Sequence, residues 1–128
     1  MPTKILIVDD DPVVRHIIAA VLKSAGHTFD QVTSGRACVQ LLATQAAAGE
    51  LPTLIFLDLQ LGDMNGAEVL EEIRRITGTT HVPTILLSAN SEEESRALFP
   101  GIKPDGYLEK PFPPTRVLEL IAEILKPA

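Results

Sequence analysis

The sequence predicts a doubly wound α/β fold, in which a parallel sheet is covered by helices on both faces. Three observations carry that prediction. There are five short apolar runs, they alternate with five segments whose apolar residues recur at helical spacing, and four of the runs end in acidic, hydroxyl or ammonium side chains. Strands buried on both sides read as continuous apolar runs rather than alternating ones. Crossovers between such strands are right-handed.

Lys4 to Asp9 is the first strand, because Ile5, Leu6, Ile7 and Val8 are continuous and run into three aspartates. Pro12 opens a helix at a position where its missing N–H costs nothing, and Asp11 is placed to cap it. Val14, Ile17, Ile18, Val21 and Leu22 form its inward stripe, and Gly26 ends it. Thr28 to Val32 is the second strand. A helix from Gly35 to Ala46 follows, capped by Ser34 and carried by Ala37, Val39, Leu41 and Leu42. Thr53 to Asp58 is the third strand and the most apolar part of the chain, and its centre should be buried on both faces.

Gln60 to Gly66 has the composition of a loop, with Gly62, Asp63 and Asn65. The next helix, Ala67 to Ile76, presents Val69, Leu70, Ile73 and Ile76 on one side. Pro83 to Leu87 is the fourth strand, ending at Ser88. A short helix from Ser91 to Leu98 is capped by Ser91 or Asn90, carries Glu92, Glu93 and Glu94 in its first turn and stops before Pro100. Gly106 to Glu109 is the fifth strand, and Pro113 to Leu125 the last helix, with Val117, Leu118, Ile121 and Leu125 inward. Pro127 and Ala128 follow closely on that helix, so the expected organisation is one domain over residues 1–128 with no output domain.

Length and charge narrow the function. With 128 residues and 45% hydrophobic content the chain suffices for one core. A formal net charge of -6 and the absence of Trp argue against direct nucleic-acid binding. No apolar run approaches the roughly 18 residues that membrane insertion requires, and no leader pattern opens the chain, so a cytoplasmic location is expected. Cys38 is the sole cysteine and is expected to be a buried structural thiol.

Sites in doubly wound sheets lie outside the carboxyl ends of the strands, where Asp9, Asp10, Asp58, Ser88 and Lys110 all fall. Three carboxylates in one pocket repel one another unless a cation is present, and hard oxygen donors suit magnesium. Asp58 is then either a third ligand or a nucleophile toward phosphorus, with Lys110 and the Ser88 hydroxyl placed to contact phosphoryl oxygens.

Four segments also resemble a known family: Ile5 through Pro12, Leu57-Asp58 through Gly66, Leu87-Ser88-Ala89, and Tyr107 through Phe112. Together, and in order along essentially the whole chain, they resemble the receiver domain of two-component response regulators. The resemblance implies a flavodoxin-like (βα)5 fold with strand order 2-1-3-4-5. It implies Asp58 as the phosphoryl acceptor, supplied by a phosphohistidine on a histidine kinase or histidine phosphotransfer protein. Asp10 is implied as the direct magnesium ligand, Asp9 as its more water-mediated neighbour, and the backbone carbonyl of Gln60 as a further ligand. Ser88 matches the hydroxyl that turns toward the phosphoryl group, Ala89 the small residue beside it, Lys110 the phosphate-contacting lysine, and Tyr107 the aromatic whose rotamer follows activation. The last two helices and the last strand correspond to the face on which receivers dimerise or meet partners.

Two departures stand out. Gly62 occupies a place where the family often has Pro, which predicts a looser loop after Asp58. The stretch Phe99 to Gly106 replaces an Ala- and Gly-rich segment and is expected to alter the neighbouring rim. His16, His27 and His81 show no metal-ligand spacing, and Arg74 and Arg75 read as a solvated helix face. Two rival functions share the fold: an interaction module indifferent to phosphorylation, and a magnesium-dependent phosphohydrolase, against which the lack of a long lid argues.

Overall fold

The computed structural model describes residues 3–78, 81–101 and 103–125. Ile102, within the expected rim, and the terminal Pro127 and Ala128 lie outside the described residues. In chain order the elements are β1 (Lys4–Val8), α1 (Pro12–Ser24), β2 (Thr28–Val32), α2 (Gly35–Ala48) and β3 (Leu54–Asp58), followed by α3 (Gly66–Thr77), β4 (Thr84–Ser88), α4 (Glu92–Leu98), β5 (Gly106–Glu109) and α5 (Pro114–Ile124). The five strands form one parallel sheet in the order β2-β1-β3-β4-β5, as the resemblance implies. Strand order reverses between β1 and β3, so the ends of those two strands flank the switch point.

Alternation along the strands splits the core in two. Leu6, Val8, Ile55, Leu57 and Leu86 face Cys38, Leu42, Val69 and Ile73, on the side covered by α2 and α3. Ile5, Ile7, Leu54, Phe56, Ile85, Leu87 and Leu108 face Ile18, Leu22, Val117 and Ile121, on the side covered by α1 and α5. β3 is buried along its whole length, as its apolar run requires. Cys38 is buried too, and burial pushes its thiol up to about 12, so it packs as a small apolar residue.

The helix ends follow local chemistry. Asp11 accepts from the Val13 N–H and Ser34 from the Ala37 N–H, while Ser91, not Asn90, caps α4 in a reciprocal pair with Glu94. α4 ends at Leu98, with Phe99 as its cap and Pro100 beyond. Three expectations need correcting. In α5 it is Leu120 that turns inward with Val117 and Ile121, while Leu118 is exposed, because at 3.6 residues per turn those three fall within about 100° of arc and Leu118 lies beyond its edge. In α2 the buried positions are Gly35, Cys38, Leu42 and Gln45, with Ala37, Val39 and Leu41 only half-buried beside them. Arg74 is no solvated residue: its guanidinium donates to the Val82 and Lys103 carbonyls and to Asp105. Arg75, paired with Glu72, does lie on the exposed face.

Candidate phosphoryl and metal site

Asp9 follows the last residue of β1, and its N–H donates to the Val32 carbonyl at 3.3 Å, extending the strand pairing by one step. Its Oδ1 accepts from the Asp11 N–H at 2.8 Å, which tightens the acidic turn. Arg15, a turn into α1, reaches back to donate to the Asp9 carbonyl at 2.8 Å. Asp9 is fully buried and Asp10 is exposed, so the adjacent acids do point different ways. Asp58 ends β3 and is 5% exposed, with Oδ1 accepting from the Gln60 N–H at 3.1 Å.

Lys110 is aimed by its own backbone. Its N–H donates to the Ser88 carbonyl at 2.7 Å, carrying the β4–β5 pairing one residue past β5. From there Nζ lies 3.1 Å from Asp9 Oδ2 and 3.5 Å from Asp58 Oδ1. Alternation explains why these three meet. Asp9 continues the parity of Ile5 and Ile7, Asp58 that of Leu54 and Phe56, and Lys110 that of Leu108, all of which face the α1 and α5 side. Ser88 and Tyr107 have the opposite parity, shared with Leu86, and face the α4 side.

The electrostatics are those of a crowded anionic pocket. Burial pushes the Asp58 carboxyl up to about 6; the Gln60 N–H and Lys110 pull it down, while the Asp9 anion adds to the rise. For Lys110, burial acts to lower the value, but the charges of Asp58 and Asp9 hold the ammonium above its ordinary range. Oxygens of Asp9, Asp10 and Asp58 all lie within 4.8 Å of one another. Asp9 Oδ2 is buried, with the Lys110 ammonium as its single partner. Three carboxylates gathered round one ammonium leave negative charge uncompensated, and their hard oxygens fit a small divalent cation such as magnesium.

The remaining residues sit on the surrounding loops. Gln60 is exposed and pairs with Asn65 in a single antiparallel bridge, and the Gly66 N–H donates to the Leu59 carbonyl, closing the loop after Asp58. Gly66 is required there, because a Cβ would lie 2.6 Å from the Leu59 Cα. Gly62 is not: its φ is not positive and a side chain would meet open space. Asp63 accepts from the Gly35 and Arg36 N–H groups at 2.9 Å each, tying this loop to the start of α2 and holding its carboxyl below the ordinary range.

Ser88 is buried at the end of β4, and Ala89 after it is exposed. Tyr107 is half-buried with the Arg96 guanidinium 5.5 Å over its ring. Asp105 accepts from the Thr84 N–H at 2.8 Å, Arg74 at 3.1 Å and His81 at 2.8 Å, a clasp between the loops that precede β4 and β5. Arg15, Asp63, Ser95 and Asp105 were not singled out by sequence reasoning. Each acts on a group brought close only by the fold or by a turn of helix.

The family model for the response regulator receiver domain matches residues 5–122. The alkaline phosphatase synthesis transcriptional regulatory protein SphR of Synechococcus elongatus is 36% identical over 114 residues, covering 86% of this chain and 44% of that protein. The chain spans about half the length of the transcriptional regulators it matches in this way. Among solved structures, the receiver domain of a sensor histidine kinase from Pseudomonas aeruginosa PAO1, with magnesium coordinated in its active site cleft, is 27% identical with a TM-score of 0.83, covering 97% of this chain and 98% of that one. The chemotaxis response regulator CheY4 of Vibrio cholerae, 24% identical with a TM-score of 0.82 over 98% of this chain and all of that one, shares the fold.

Proposed function

The chain belongs to the response regulator receiver family, and from that premise we propose that Asp58 is its phosphoryl acceptor and, with Asp9, Asp10 and the Gln60 carbonyl, holds magnesium. As a receiver domain it is a magnesium-dependent phosphoacceptor switch of two-component signalling, acting on its own phosphoryl group rather than on a separate substrate. The observation that carries the assignment is the meeting of the buried Asp9 and Asp58 carboxylates with the one Lys110 ammonium at the switch point of the sheet.

In the transfer an Asp58 oxygen attacks the phosphorus of a phosphohistidine. The P–N bond breaks, its electron pair stays on the imidazole, and an acyl phosphate remains on Asp58. Magnesium, when bound, supplies positive charge that offsets the phosphoryl oxygens. Lys110, already poised between Asp9 and Asp58, turns its ammonium to a phosphoryl oxygen. The Ser88 hydroxyl donates to another, Ala89 leaves room for it, and Tyr107 follows with a change of rotamer.

Histidine kinases and histidine phosphotransfer proteins are the partners of receiver domains in general. For this chain a phosphohistidine donor of one of those two kinds is the proposed source. Helices α4 and α5 with β5 form the proposed face for a second copy or another protein. The charge of -6 argues against direct nucleic-acid binding. Among the described residues no helix is long and apolar enough to cross a membrane. A single receiver domain over residues 1–128, in a cytoplasmic setting and without membrane insertion, completes the proposal.

Intact-mass measurement with a small phosphodonor and magnesium tests it. The expected result is an adduct of about 80 Da in the parent and none in Asp58→Asn. An adduct that persists in the variant defeats the assignment. Repeated turnover of an added phosphate ester would instead point to a phosphohydrolase.

A further inference from the structure

Ser88 and Ser95 form a buried hydroxyl pair that links the end of β4 to α4. Ser95 is 1% exposed and the only buried residue of its helix, and its Oγ–H donates to Ser88 Oγ at 3.2 Å. The Asn90 N–H donates to the same oxygen at 3.0 Å. A hydroxyl has two acceptor directions and one hydrogen, so Ser88 keeps only its hydrogen free. By strand parity this hydroxyl lies on the α4 side, whereas Asp9, Asp58 and Lys110 belong to the opposite side. To reach a phosphoryl oxygen on Asp58 it must turn away from α4.

We infer that Ser95 is a positioning residue that holds the Ser88 hydroxyl on the α4 side and converts its departure into a change in α4. The inference rests on the acceptor reading of Asp58 given above. When Ser88 turns toward the phosphoryl group, Ser95 is left with a buried hydroxyl lacking a partner, which is costly. The acceptor nearest in sequence is the Ser91 carbonyl one turn earlier, which already takes the Ser95 N–H at 2.9 Å. A serine bonding back to that carbonyl bends a helix and weakens its ladder. α4 has seven residues and its last ladder bond runs from the Phe99 N–H to the Ser95 carbonyl, so a disturbance at Ser95 reaches both ends.

Hydrogen exchange of residues 92–98, measured with and without a small phosphodonor plus magnesium, tests this alongside intact mass. In the parent, phosphorylation should speed exchange of these amides on the order of tenfold, the size of one buried hydrogen bond. Ser95→Ala should still take the 80 Da adduct, about one phosphoryl group, yet show no further acceleration in α4. Ser95→Thr, which keeps the hydroxyl, should retain the response. Ser88→Ala should lose it, its α4 amides exchanging fast from the start because Ser95 is stranded, and adding Ser95→Ala should remove that basal acceleration. An unchanged α4 response in phosphorylated Ser95→Ala, or no response in the phosphorylated parent, overturns the inference. Absence of adduct in the parent would instead overturn the acceptor reading.

Discussion

At the carboxyl end of the sheet, Asp9 and Asp58 are buried against Lys110, and each is delivered by a strand whose pairing continues to its last residue. Beside it, the rim made by α4 and β5 is held by polar side chains: Ser95 to Ser88, Arg96 over Tyr107, and Asp105 to Arg74, His81 and Thr84. The covering helices differ in the same way. α3 buries Val69, Leu70 and Ile73, at roughly 1.5–3 kcal/mol of burial each, whereas α4 buries no large apolar side chain and leaves Leu98 60% exposed. An element with little apolar burial sits at the low end of local stability. The carboxylate site is therefore set on an apolar frame, and the neighbouring rim is held mainly by polar contacts.

The sharpest way to break this contrast is at α3. Ile73→Ala should cost roughly 2–5 kcal/mol in denaturant unfolding, as a fully buried side chain facing a packed sheet leaves a cavity. A loss under about 1 kcal/mol would mean that the frame is no better packed than the rim.

The site itself stores strain of the electrostatic kind. Because burial raises the Asp58 carboxyl from 3.8 to about 6, its contribution to stability is fully present below 3.8 and is lost as pH rises through about 6. Without magnesium, Asp58→Asn should lack that loss and be more stable than the parent at neutral pH by roughly 1–3 kcal/mol. Magnesium should stabilise the parent and narrow the gap. Parallel unfolding curves for the two proteins across acid and neutral pH would contradict the crowded pocket.

Smaller effects belong to the rim. Burial alone would raise Asp105, but the Thr84 N–H, His81 and Arg74 hold its carboxyl below 3.8. Its contribution is present above 3.8 and is lost as pH falls through the lower, folded value. Asp105→Asn should cost roughly 1 kcal/mol at neutral pH and flatten that acid-side loss, the partial exposure of the clasp keeping the figure small. Smallest of all, Leu98→Ala should move stability by no more than about 0.5 kcal/mol. A larger loss would show that α4 is anchored through a surface that this structure leaves open.

The alternation of apolar runs and helical stripes is local information, and it located all five strands and five helices to within a residue or two. Asp11, Ser34 and Ser91 were legible as caps because a cap bonds within its own turn. The stripe in α5 differs at Leu118 because an arc through Leu118 and one through Leu120 both contain Val117 and Ile121, and only the sheet beneath selects between them. Arg74 was misread because its partners stand at Val82, Lys103 and Asp105, across two loops.

About the acceptor site itself, the sequence alone determined which side chains stand at strand ends, since the end of an apolar run is written in the chain. Their meeting is a matter of tertiary structure. Parallel register and the two-residue period of a strand put Asp9, Asp58 and Lys110 on one side of the sheet and send Ser88 and Tyr107 to the other, toward a helix with almost nothing buried beneath it. That division, between the proposed acceptor set and the proposed switch residues, depends on which strands are neighbours, and no local stretch of sequence contains it.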